Sequence, residues 1–242
     1  MSYIFREHIK QSLAVIAFLL TLTACTSESY DAGDGPNSYL TADLVLLHTS
    51  QDKSVRSALL DDGTTLQFSN PFAQDWLTRP DSVYRALLYY DKTVAASDAA
   101  ASNPTATSIV RARSVRPVSV LRPVEAEDME TLRTDPVGFE SIWLSKNKSY
   151  INLSLLLKSG KTEADDVLHA LGIVSHGTTT DADRRRTLHL TLYHDQGGVP
   201  AYYTVQQYVS IPTQLLEEAD TVELTLNTYN GKKVVKVAVS NL

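Results

Sequence analysis

The side chains on which chemistry could rest are six histidines, a run of arginines, twelve tyrosines and one cysteine. His189 and His194 stand five apart around one expected strand end, so they point to opposite faces and cannot share a metal. His169 falls within an expected helix and His176 within a polar loop. No H-x-H, H-E-x-x-H, C-x-x-C, G-x-S-x-G, P-loop or G-x-G-x-x-G pattern occurs. His194-Asp195 beside Gly197-Gly198 has the residue types of a catalytic pair, but adjacent residues diverge and an aspartate before glycines is ordinary turn chemistry. These patterns point to no enzyme, no bound metal and no cofactor.

Arg111, Arg113, Arg116 and Arg122 lie along one extended stretch and invite a nucleic-acid reading. A formal charge of −6 and Asp61, Asp62, Asp75 and Asp81 nearby argue against it. Arg111 and Arg113, on one face, are expected to pair with those acids. The tyrosines leave a better candidate. Tyr202, Thr204, Gln206 and Tyr208 alternate along one strand, on the side opposite its apolar residues. If that strand pairs with 187–193, His189 and Tyr193 join them. Aromatic rings interleaved with polar groups on an exposed sheet face suit a sugar or a protein. The plainer reading is cross-strand packing on a solvated face.

The cysteine carries an address. Arg6, His8 and Lys10 precede an apolar run, Leu13 to Leu20, which Leu22-Thr23-Ala24-Cys25 closes. A basic start, about a dozen apolar residues and a small-residue end form a secretory signal, too short for a span of about 20 residues. Leu-Thr-Ala-Cys resembles the bacterial lipobox, in which the thiol is acylated and the chain cleaved before it. Residues 1–24 are then a lipoprotein signal peptide, Cys25 the lipidation site and 25–38 a Ser/Asp/Gly-rich tether. Cleavage removes Arg6, Lys10 and Glu7, leaving the chain one unit more negative. Threonine after the cysteine favours the outer membrane. The expectation is a lipid-anchored protein there, with its periplasmic or surface orientation open.

These residues must be positioned by strands. Leu44–Leu47, the hairpin Ala58–Phe68 turning at Asp61-Asp62-Gly63, Val83–Tyr90, and the stretch 107–124 limited by Pro117 and Pro123 make about five strands. That count describes an OB-like β-barrel over 39–124. Residues 125–135 read as a linker with a short helix, ended by Asp135-Pro136. Beyond it, Ile151, Leu153, Leu155 and Leu157 alternate cleanly, as do Leu188, Leu190 and Leu192. Glu163–Leu171 reads as a helix capped by Thr162 and stopped by Gly172, and 175–186 as a loop. Asn230-Gly231 marks a terminal hairpin. Residues 136–242 are therefore expected to form an antiparallel β-sandwich with one short helix, giving a mainly β, two-domain chain.

Several strings resemble the NigD-like lipoproteins of Bacteroidetes. They are Leu22-Thr23-Ala24-Cys25, Leu60-Asp61-Asp62-Gly63-Thr64-Thr65-Leu66, Asp135-Pro136-Val137, Trp143-Leu144-Ser145, Tyr150-Ile151-Asn152-Leu153 and Tyr229-Asn230-Gly231-Lys232-Lys233. The resemblance implies an N-terminal OB-like domain and a C-terminal β-sandwich. Lys146-Asn147-Lys148 stand where that family often has glycines, so the turn there is expected to be built differently. None of the strings is catalytic. The functional expectation is a non-enzymatic binding or accessory module for an envelope protein or an extracellular polymer such as a glycan. An immunity-type factor against a bacteriocin, acting at the envelope, is the alternative that the family name suggests.

Overall fold

The computed structural model describes residues 40–92, 108–161, 169–216 and 218–239. The expected signal, Cys25, the tether and most of the expected helix lie outside them. Strands β1 (Leu40–Thr49), β2 (Val55–Leu60), β3 (Thr65–Phe72), β4 (Val83–Lys92) and β5 (Ser108–Pro117) form a closed barrel in the order β1-β2-β3-β5-β4. β4 returns to β1 antiparallel, and only β3 and β5 run parallel, which is the OB-type Greek key. Val45, Leu47, Ala58, Leu66 and Leu88 fill its interior. The β2–β3 hairpin turns as its residues dictate: Gly63 takes φ +90°, and Asp62 accepts the Thr64 amide at 2.9 Å.

Pro117 ends β5 because proline offers no further ladder donor. The Val118 amide bonds the barrel at Arg85 O, and three residues on the Leu121 amide bonds Ser210 O in the sandwich. The short strands β6 (Ser119–Val120) and β7 (Pro123–Glu125) pair parallel to one strand of each sandwich sheet. Strand pairing thus crosses the boundary expected at 124. The expected linker helix is a single 3-10 turn, Ala126–Asp128.

The sandwich strands are β8 (Gly138–Leu144), β9 (Tyr150–Ser159), β10 (Ala170–Thr180), β11 (Arg186–Asp195), β12 (Tyr203–Pro212), β13 (Thr221–Thr228) and β14 (Gly231–Ala238). One sheet is β6-β12-β9-β8 and the other β14-β13-β11-β10-β7. Ile151, Leu153, Leu155, Leu188, Leu190, Ile211 and Leu224 pack between them. The expected all-antiparallel pairing is only partly realised. β11 and β13 are parallel, because the chain crosses to β12 in the other sheet between them and returns in its first direction.

Two local expectations give way. Ala170 and Leu171, assigned to a helix, begin β10, and the strand continues through residues assigned to a loop as far as Thr180. Leu171 packs on the sandwich core and Ile173 lies within it, and the β-branched Ile173-Val174 pair favours the extended backbone. Gly172 is not a helix stop but a strand residue opposite Tyr193. At the last hairpin Thr228 pairs with Gly231, so Tyr229-Asn230 make the turn and Gly231, at φ +102°, follows it. The hairpin expected at Asn230-Gly231 is present, and because Asn230 keeps negative φ it closes through a type I turn with a glycine bulge.

Barrel and sandwich belong to one unit, Leu40–Leu242, and a buried ionic cluster joins them. Arg85 on β4 makes a bidentate pair with Asp61 (2.6 and 2.7 Å) and donates to Ser210 Oγ (3.1 Å) and Asn152 Oδ1 (3.0 Å). Asn152 donates in turn to Asp61 (3.0 Å), and Ser210 to Asn152 (2.7 Å). The guanidinium lies 4.4 Å from the Tyr150 ring centroid. Asp61 therefore takes Arg85 as its partner, and Arg113 pairs with Asp91 instead. The turn at Lys146-Asn147-Lys148 docks here too: the Asn147 amide donates to Asp61 O (2.7 Å), and Lys148 takes φ +57° without a glycine.

Candidate functional site

On β9 the inward positions are 151, 153, 155 and 157, which leaves Asn152, Ser154, Leu156 and Lys158 on the outer side. On β12, Val209 and Ile211 go inward, which leaves Thr204, Gln206, Tyr208 and Ser210 outside. The register sets Ser210 beside Asn152, Tyr208 beside Ser154, Gln206 beside Leu156 and Thr204 beside Lys158. The barrel covers the Ser210–Asn152 end and packs on Tyr208, Ser154 is buried, and the face is open at Gln206 and Thr204.

A bulge in β8 between Phe139 and Ser141 brings a carboxylate to that face. A bulge shifts the alternation by one and re-aims a side chain. Glu140 Oε2 accepts hydrogen bonds from Ser154 Oγ (2.6 Å) and from Gln206 Nε2, which also donates to Ser154 Oγ (3.0 Å). The Ser154 hydroxyl first, and then the Gln206 amide, hold the Glu140 carboxyl below its ordinary range. It stands as a fixed anionic acceptor.

Aromatic rings flank this polar centre. Toward the barrel, Tyr208 meets Trp143 edge-on with ring centroids 6.4 Å apart, against Leu44, Leu87 and Val118. At the other end Tyr202 is 79% exposed, its amide bonded to Ser159 O at 2.9 Å. A Cβ on Gly160 would come within 2.8 Å of the Tyr202 ring and 2.9 Å of Pro200, so glycine there lets this loop lie close. From Tyr208 to Tyr202 is six residues, roughly 20 Å of strand. Between them Lys158 donates to Thr204 Oγ1 at 2.9 Å.

Gln206 and Tyr208 share the outer face of β12, and Tyr202 lies just before the strand, its ring beside Gly160. His189 and Tyr193 do not join them, because β11 and β12 lie in different sheets. The connection between those strands, 196–202, is longer than the two to five residues of a hairpin loop and buries Val199, so it arches across the sandwich. His189 instead sits on the five-stranded sheet, bonded to Thr179 (2.8 Å) and Glu223 (3.2 Å). Tyr193 stands there opposite Gly172.

His169 and His176 also differ from their expected places. His176 is in β10 and bonds Thr191 (2.9 Å). His169 stacks on the buried His194, Nδ1 to Nε2 at 2.9 Å, while His194 Nδ1 contacts Asp135 O at 2.9 Å. Burial first, and then the His194 ring, lower the His169 pKa. Among the described residues no group of three His, Cys, Asp or Glu side chains is arranged to hold a metal ion. Glu140, Ser154, Trp143 and Lys158 were absent from the face as read from the sequence. The alternation of β9 carried the signal for Ser154 and Lys158; the bulge that delivers Glu140 left none.

Residues 120–239 match the family model described as the NigD-like C-terminal beta sandwich domain. The second half of this chain is a NigD-like β-sandwich domain. The fold of the whole recurs in solved structures. A NigD-like immunity protein from Bacteroides caccae is 23% identical over 81% of this chain and 91% of its own, with a TM-score of 0.58. A protein of unknown function from Bacteroides vulgatus is 16% identical over 83% and 92%, with a TM-score of 0.57. One from Bacteroides fragilis, described as a candidate lipoprotein, is 12% identical over 84% and 99%, with a TM-score of 0.58. None of the curated proteins matches the sequence. At these identities the likeness is one of fold, and the outer face of the NigD-like domain must be argued from its own residues.

Proposed function

We propose that this chain is a non-enzymatic binding module of the cell envelope, anchored in the outer membrane through lipidated Cys25. Its binding face is the open outer side of the four-stranded sheet. One observation carries this reading: a fixed Glu140–Ser154–Gln206 cluster stands between an exposed ring at Tyr202 and the Trp143–Tyr208 pair. Flat rings beside oriented donors and acceptors suit the alternating apolar and hydroxylated surfaces of an extracellular polymer. Glu140, held ionised by two donors, is suited to accept hydrogen bonds and poorly suited to deliver a proton. The B. fragilis neighbour described as a candidate lipoprotein supports the anchor.

Two measurements test it. Labelled fatty acid should enter the wild-type protein and not Cys25→Ser. Electrophoresis of the detergent-solubilised protein through gels carrying dextran or polygalacturonate should show retardation that Tyr202→Ala/Gln206→Ala removes. Retardation unchanged by that pair would sink the assignment of the face.

A second reading, an immunity-type factor at the envelope, draws on the description of the B. caccae neighbour as an immunity protein. It predicts that deletion sensitises cells to a bacteriocin and that face variants tolerated by the fold fail to restore resistance.

A further inference from the structure

The open end of the sandwich holds a cleft of about 260 Å³ between the start of β8 (Gly138, Phe139) and the last hairpin (Tyr229 to Lys233). Its walls carry two lysines and no acid. Lys233 Nζ lies 4.5 Å from the Phe139 ring centroid, a cation–π contact that holds the ammonium at the cleft without neutralising it. Tyr229, on the same hairpin as Lys233, is 43% exposed. Its hydroxyl accepts the Lys158 amide at 3.2 Å, beyond the point where β8 stops pairing with β9. Lys158 Nζ stands 5.9 Å from the Tyr229 ring centroid. Lys236, farther along β14, is by contrast matched to Glu223 at 3.0 Å.

We propose that this cleft takes the acidic groups of an anionic polysaccharide, carboxylated or sulfated, whose chain runs on across the outer sheet face. The inference rests on the binding face proposed above and adds the charge class of its ligand. Two observations support it independently. First, Lys158 belongs to both places: it borders Tyr229 at the cleft and donates to Thr204 beside Tyr202, so the two surfaces are continuous. Second, the chain as a whole carries a formal charge of −6. The charged groups of a polyanion are drawn to the acid-free cleft at Lys232 and Lys233, while the ionised Glu140 on the sheet face accepts from the hydroxyls of the chain that runs on. Peptidic anions lack the hydroxylated faces that would occupy the remainder of the strip.

The test is affinity electrophoresis of the detergent-solubilised full-length protein in polygalacturonate, dextran sulfate and neutral dextran. Wild type should be retarded by at least one acidic polymer and not by dextran, and the retardation should fall with added salt. Lys232→Gln/Lys233→Gln, which keeps the stems in place, should weaken it about five- to tenfold, as expected for two exposed charge contacts. Arg116→Ala/Lys146→Ala, which removes the same charge elsewhere, should not. Equal retardation by dextran, or retardation insensitive to the lysine pair but matched by the distant pair, overturns the inference. No retention of any of the three polymers also overturns it. Acidic retention lost with the lysine pair but kept in Tyr202→Ala/Gln206→Ala would leave the cleft standing and refute the sheet face. Dextran retention lost only in the latter variant would do the reverse.

Discussion

The outer side of β9 and β12 is one continuous face with two fates. At Asn152 and Ser210 the barrel lies on it, and the polar groups close on Arg85 and Asp61 in a cluster that leaves the Arg85 side chain 1% exposed. A few residues along, at Gln206, Thr204 and Tyr202, nothing in the described structure covers it. The two ends use the same kinds of residue in the same alternation. Burial makes the first a joint, because any donor left unpaired there costs about 1–3 kcal/mol. Exposure makes the second a surface, where a similar hydrogen bond contributes little to folding and is available to a ligand.

The comparison is broken most directly at its buried end. Arg85→Ala should destabilise the protein by about 3–5 kcal/mol, since it strands Asp61 and unsatisfies Asn152 and Ser210 together. Urea unfolding would measure this, and a loss below about 1 kcal/mol would show that the joint is incidental. Arg85→Lys should rescue little, because an ammonium cannot make the bidentate pair with Asp61 while spanning to Ser210 and stacking on Tyr150. Asn152→Ala should cost less, about 1–3 kcal/mol, by leaving Arg85, Ser210 and Asp61 each short of one partner. The double variant should fall well short of the sum, since both changes open one network.

Three of the strings that carry the family resemblance meet at or beside this joint. Asp61 comes from the first hairpin, Trp143 from β8, and Tyr150 and Asn152 from β9, and in the structure they stand around Arg85 or beside it. They were legible as strings, and their hairpin and strand positions followed from Asp-Gly turn chemistry and period-two alternation. Their meeting was not legible, because the residue that gathers them sits inside the apolar run Val83–Tyr90 with no local mark of its role. The same limit explains the candidate face. Alternation placed Tyr202, Gln206 and Tyr208 on one side, a property of one strand. Whether β11 lay beside them depended on the path of residues 196–202, a long-range matter on which Gly197-Gly198 is silent.

A smaller effect sharpens the comparison at the five-stranded sheet. His169 resists protonation because burial and the adjacent His194 ring disfavour its charged form. Its folded pKa therefore lies below the unfolded value near 6.5. The stability tied to its neutral form is fully present above about pH 6.5 and is lost as the pH falls through the folded value. Melting temperature should drop from pH 7 to pH 5.5, and His169→Asn should flatten that slope. An unchanged slope would mean that other groups govern the acid response. The outer sheet face should show no comparable sensitivity in this window, since Glu140 is already ionised well below it.

The smallest expected effect belongs to the most exposed ring. Tyr202→Ala should change stability by less than about 0.5 kcal/mol, as surface substitutions away from special features do. The ring buries little area, and the loop at Gly160 beside it is tied down by the Tyr202 amide to Ser159 O, a bond the substitution keeps. Tyr208→Ala, six residues along the same face, should cost appreciably more, because its ring packs on Trp143 against Leu44, Leu87 and Val118. Thermal melts of the two variants therefore rank the two ends of one strand face. If Tyr202→Ala proved as costly as Tyr208→Ala, the open end would also be held by packing, and Tyr202 would have a structural reason to be there. If it costs nothing, the ring at that position contributes nothing to the fold and stays available for the contact proposed above.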